Sequence, residues 1–144
     1  MAYQARKLKR FIEDFELINE NGEVETTIHV ELEPDDIVMK LHRKYTTLCQ
    51  TLTEVQEMKR KPISNEELGG YIEKLGNAVI QLFEAVFGET DTKTIVDFYE
   101  NRYIEMCHEV VPFIRTVVIP RVQELKKQNQ RTLLKPYNRK KYRK

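Results

Sequence analysis

The sequence predicts a mainly α, α+β domain: an N-terminal β-hairpin, about four helices, the last ones bent at Pro112 and Pro120, and a disordered basic C-terminal tail. Three observations predict it. Val24, Thr26, Ile28, Val30 and Leu32 alternate strictly with polar residues, the period of a half-buried strand. From Ile37 onward apolar residues recur every three or four positions, as on amphipathic helices. After Leu134 the only large apolar side chains are Tyr137 and Tyr142, so burial there cannot offset the entropy of ordering. The expected organisation is one domain over 1–125, with the hairpin at about 11–32, and a tail over 126–144.

In the first element, Phe11, Glu13, Phe15 and Leu17 share one face of an extended segment, and Ile12, Asp14, Glu16 and Ile18 the other. Asn19-Glu20-Asn21-Gly22 supplies the turn, because Asn-Gly tolerates positive φ. A lone hairpin is marginal in water, so its apolar face must dock on helices or on another chain. Pro34 ends the second strand and suits a first helical turn, where Asp35 and Asp36 favour the positive end of the helix dipole. Ile37, Leu41, Tyr45, Leu48, Leu52 and Val55 form the stripe of this helix, which closes near Lys59 and Pro62.

Ser64 and Glu67 read as a capping box. The helix they open carries Leu68, Ile72, Leu75, Val79, Leu82, Phe83 and Val86. Gly69, Gly70 and Gly76 each weaken it by about 1 kcal/mol against Ala, which suggests close backbone packing on a neighbour. Gly88 suits the position just past its end. A third helical region, capped by Thr90 or Asp91, then carries Ile95, Phe98, Tyr99, Tyr103, Met106 and Val110 on one face. Pro112 either kinks this helix or starts a new one, and Pro120 interrupts the run again.

The net charge of +1 hides a division of labour: residues 1–120 carry −8 and residues 121–144 carry +9. The tail is either a solvated extension or an electrostatic contact for an acidic protein, such as a neighbouring copy, or for nucleic acid. No apolar run approaches the roughly 20 residues that cross a bilayer, so no membrane partner is expected. No apolar stretch follows the basic N-terminus to make a secretory signal, and two cysteines, Cys49 and Cys107, fit a reducing compartment.

The chemistry-bearing patterns are sparse. Glu105 and His108 share a helix face, but a di-iron site needs a second such pair and two further carboxylates. His42 and Cys49 lie one heptad apart and could join Cys107 and His108 around zinc; adjacent Cys107 and His108 point about 100° apart on a helix, a poor chelate. Both cysteines read better as small buried hydrophobes. The sequence has no Gly-rich phosphate loop and no nucleophile elbow. No enzyme, metal or cofactor is expected.

Phe87-Gly88, Phe98-Tyr99-Glu100-Asn101-Arg102-Tyr103, Val110-Val111-Pro112-Phe113-Ile114 and Ile119-Pro120 resemble, in order and spacing, the C-terminal half of the tail assembly chaperones of long-tailed bacteriophages. The charged hairpin, helical body and basic end follow the same order, so the resemblance covers about 10–125 and is firmest over 83–121. It implies a non-catalytic protein of the bacterial host cytoplasm, absent from the finished virion, that coats the tape-measure protein and recruits tail-tube subunits. Self-association is expected with it. The candidate adhesive residues are Phe98, Tyr99, Tyr103, Met106, Phe113 and Ile114, since aromatics and Met dominate interfaces, though each also suits a core. The electrostatic tail is Lys126, Lys127, Arg131, Lys135, Arg139, Lys140, Lys141, Arg143 and Lys144. Two other classes remain open: a tail-completion or connector component whose hairpin adds strands to a neighbour, and a small nucleic-acid-binding regulator using the tail.

Overall fold

The N-terminal hairpin lies against helices, and this contact organises the molecule. The computed structural model describes residues 2–62 and 64–142, with side chains as far as residue 133. Strands β1 (Phe11–Ile18) and β2 (Val24–Leu32) pair antiparallel, with Phe11 opposite Leu32 and Phe15 opposite Ile28. The turn is held by Asn19, whose Oδ1 accepts the amides of Asn21 (2.9 Å) and Glu23 (3.1 Å). Gly22 alone takes positive φ there (80°), as in a type I turn followed by a Gly bulge. Register slips beside the turn, where Leu17 opposes Thr26 but Ile18 opposes Val24. Glu25 is thus the extra residue, and Val24 turns out to solvent with Ile18.

Helix α1 (Pro34–Lys59) and helix α2 (Asn65–Phe98) pack antiparallel: Glu54 pairs with Lys74 (2.9 Å), and Lys44 bonds Gln81 (3.0 Å). Ser64 Oγ accepts the Glu67 amide at 3.2 Å, as its capping pattern requires. The expected stripes face each other, with Leu41, Leu48 and Val55 of α1 and Leu75, Val79, Leu82 and Phe83 of α2 all buried. The glycine expectation holds at one position of three. A Cβ on Gly76 would lie 2.6 Å from the Tyr103 ring, whereas Gly69 and Gly70 face open space.

Gly88 breaks α2 internally (φ 81°, ψ 169°), and the chain resumes its helix at once, without waiting for a cap at Thr90 or Asp91. The expected third helix is also divided. α2 stops at Phe98, and the short α3 (Tyr103–Glu109) starts after a reversal. Pro112 starts a new helix rather than kinking an old one. It occupies the first turn of α4 (Val111–Phe113), where its missing N–H is no loss.

A π turn (Ile114–Val118) follows, in which the Ile119 amide reaches back five residues to the Ile114 carbonyl, and α5 (Ile119–Tyr142) continues. In an α-helix the Pro120 ring would strike the Thr116 carbonyl, and the wider π turn relieves that clash. The described residues therefore form three long helices, α1, α2 and α5, with two short ones between α2 and α5, rather than about four. The run of Val110, Ile114, Val118, Val122 and Leu125 is buried and closes the core beneath the hairpin.

The boundary of the tail also moves. Helix α5 runs on past residue 125, and Asn129, 3% exposed, exchanges hydrogen bonds with the backbone of Lys9 (3.2 and 2.9 Å). Residues 126–133 are therefore ordered helix, not disordered tail, and the backbone stays helical to Tyr142. Arg143 and Lys144 lie outside the described residues.

Candidate functional site

A cleft that gathers part of the predicted adhesive set lies between the hairpin turn and the α2–α3 reversal. Phe98 ends α2, and its successors make a Schellman motif: the Asn101 amide bonds the Val96 carbonyl (3.1 Å) and the Glu100 amide bonds the Asp97 carbonyl (3.2 Å). Such a cap needs positive φ just beyond the helix, which Glu100 (53°) and Asn101 (63°) supply. The reversal turns the chain into α3 and leaves Phe98 and Tyr99 on a rim, ring centroids 4.9 Å apart and perpendicular. Opposite them stands the hairpin turn.

The cleft between these parts has a volume of about 650 Å³ and is lined by Ile18, Asn19, Glu20, Asn21, Glu25, Phe98, Tyr99, Glu100, Arg102, Glu105 and Glu109. Five carboxylates face one guanidinium, and Arg102 stands 3.7 Å from both Glu100 and Glu105. Burial pushes the Tyr99 phenol above its ordinary range, and Glu109 and Glu105 push it further, because both disfavour a phenolate. Two aromatic rings beside five carboxylates can hold cationic side chains, whose heads meet carboxylates while their stems cover the rings.

The structure divides the six predicted adhesive residues. Phe98 and Tyr99 line the cleft. Met106 and Ile114 are fully buried and belong to the core, so neither offers adhesive surface. Phe113 is half-buried in an aromatic cluster that binds the hairpin to the helices, 4.8 Å from Phe15 and 6.2 Å from Phe87. Tyr103 lies over Gly76 and sets the approach of α3 to α2. Sequence reasoning passed over the cleft's acids, because Glu20 and Glu25 are remote in the chain from Glu100, Glu105 and Glu109. One signal was present: Asn101 tolerates the left-handed conformation that a chain reversal needs.

Of the predicted electrostatic tail, Lys127 and Arg131 are exposed on α5 and Lys126 is half-buried. Lys135, Arg139, Lys140 and Lys141 follow on the helix backbone, their side chains outside the described residues. Cys49 on α1 and Cys107 on α3 are free thiols, both half-buried. Burial pushes the Cys107 thiol up to about 11, with Cys49 adding to the shift. His42 and His108 are exposed, and among the described residues no three His, Cys, Asp or Glu side chains converge to hold a metal. No described helix is long and apolar enough to cross a membrane.

No family model matches this sequence, and neither the curated proteins nor the solved structures yield a match.

Proposed function

We propose that the chain is a tail assembly chaperone of long-tailed phages, acting without catalysis on the tape-measure protein and the tail-tube subunits. The cleft is the observation that supports this reading. It presents Phe98 and Tyr99, which belong to the segment that carries the family resemblance, beside five carboxylates. A basic, partly apolar stretch of an unfinished structural protein fits that chemistry, and holding it would keep such a stretch from aggregating.

The test begins with the gene neighbourhood, where a very long, coiled-coil-rich reading frame just downstream supplies the bait. The purified chain is expected to retain that product, and Tyr99→Ala with Glu105→Lys is expected to weaken retention by roughly tenfold or more, the scale of one lost interface hot spot. Absence of such a reading frame, or retention that ignores both substitutions, would sink the proposal.

A second reading rests on the outer face of the hairpin, where Ile12, Ile18 and Val24 are 71%, 54% and 49% exposed. A structural tail component could cover this face. Mass spectrometry of purified particles separates the two, since a chaperone is absent from them and a component is present.

A further inference from the structure

The cleft concentrates negative charge at one end of the molecule, and the positive charge leaves from the other. Residues 126–144 hold nine Lys and Arg and no acid. Three contacts set the direction in which they depart. Phe113 packs on Phe15, midway along β1. Thr116, Val117 and Pro120 share a groove with Arg10, Phe11 and Ile12. Asn129 bonds Lys9, beyond the hairpin base. From Phe113 into α5 the chain thus runs antiparallel to β1, from mid-strand to beyond the hairpin base. The eight residues of β1 span roughly 25 Å, and α5 continues from Asn129 to Tyr142 for about 20 Å more. The basic segment therefore points away from the cleft of its own body.

We infer that the basic C-terminal segment of one copy docks in the acidic, aromatic-walled cleft of a second copy, so that the chain assembles head to tail. Charge complementarity selects the occupant. Glu20, Glu25, Glu100, Glu105 and Glu109 offset the Lys and Arg of the incoming segment, while Phe98 and Tyr99 receive their stems and the rings of Tyr137 and Tyr142. Donor and acceptor are different surfaces, so a copy that gives its segment still offers an open cleft. Growth then continues until a ring closes or a filament forms. This assembly uses the cleft of the proposed function without depending on the partner named there: a monomer that still retains the tape-measure protein would overturn the assembly alone.

The experiment is sedimentation of the full-length, nuclease-treated chain. Species of at least twice the 17.2 kDa monomer are expected at low salt. Raising salt from about 0.1 M to about 1 M shortens the reach of charges from roughly 10 Å to roughly 3 Å and is expected to return the monomer. Glu105→Lys with Glu109→Lys, or Arg139→Glu with Lys140→Glu and Lys141→Glu, is each expected to give monomers at low salt. Mixing the two variants is expected to restore association, because each retains the surface the other has lost. Circular dichroism checks that both remain folded; the cleft positions are exposed. A wild-type monomer at low salt overturns the inference, and so does association that survives both sets of substitutions or vanishes with nuclease. The last result would move the basic segment to nucleic acid.

Discussion

At the scale of single residues, Gly76 makes the contrast with its neighbours measurable. Alanine at Gly70 meets nothing and should stabilise α2 by about 0.5–1 kcal/mol through the unfolded chain. The same change at Gly76 drives a methyl to within 2.6 Å of the Tyr103 ring, and overpacking of this kind costs about 1–3 kcal/mol. Opposite shifts in melting temperature are therefore expected, and in a Tyr103→Ala background Gly76→Ala should become favourable. Thr92 gives a second test. Six other threonines bond the carbonyl four residues back, among them Thr47, Thr51 and Thr94. Thr92 Oγ1 is buried without a partner among the described residues, because its carbonyl would be that of Gly88, whose ψ of 169° turns it out of the helical row. Thr92→Val keeps the shape and removes the stranded hydroxyl, so thermal melting should show a gain of about 1 kcal/mol. Cys107 supplies a pH dependence. Its thiol is raised from 9.0 to about 11, so the folded state holds a proton that the unfolded chain loses first. Stability is then full below about pH 9 and falls by up to about 1.4 kcal/mol per pH unit between about 9 and 11. Tyr45 and Tyr99 shift upward too and act in the same sense. Denaturant midpoints across that range should fall less steeply for Cys107→Ala.

At the scale of elements, what could be read from the sequence depended on whether the deciding interaction was local. The hairpin, the stripes of α1 and α2, and the Ser64 cap follow from periodicity and from groups within a turn of one another, and all three stand in the structure. Val24 defied its alternation because an extra residue, Glu25, is set by pairing across the strands. The reversal at Glu100-Asn101 was hidden because the cap lacks the usual Gly; a Glu holds its left-handed position. Half of the cleft was hidden with it, since that reversal carries Glu105 and Glu109 toward the hairpin turn. The π turn was foreshadowed only as trouble near Pro120, for a proline announces a lost hydrogen bond and not the way a helix absorbs it. Gly88 shows how one backbone position shapes an element. Its φ of 81° and ψ of 169° fall where only Gly is comfortable, although a Cβ added there would meet nothing within 4 Å. Gly88→Ala should therefore cost about 1–3 kcal/mol from backbone strain alone. Chemical denaturation should show this with an unchanged slope; a neutral result would mean the break in α2 can be redrawn elsewhere.

At the scale of the whole molecule, the N-terminal arm is clamped to the last helix. Asn129 replaces a missing strand neighbour for Lys9, bonding both its amide and its carbonyl across 120 residues of sequence. Neither the segment around Lys9 nor that around Asn129 carries an apolar pattern that announces the contact, which is why a domain ending at residue 125 looked complete. The clamp sits on the same helix that buries Val122 and Leu125 under the hairpin, so the base of β1, the N-terminal arm and α5 should loosen together. Cutting the chain after Leu133 removes no described buried side chain, and that truncation is expected to melt with the full-length protein. Cutting after Leu125 removes Asn129 and the turns that hold Val122 and Leu125 in a helix, so it should lose about 2–4 kcal/mol, the scale of a buried hydrogen-bonding group plus frayed core contacts. Trypsin supplies a local readout of the same event. In the shorter truncation Arg6, Lys7 and Lys9 should be cleaved faster than in the longer one, and Asn129→Ala in the full-length chain should reproduce that cleavage without the full loss of stability. Equal protection of the arm in all three proteins would mean that Asn129 does not hold it.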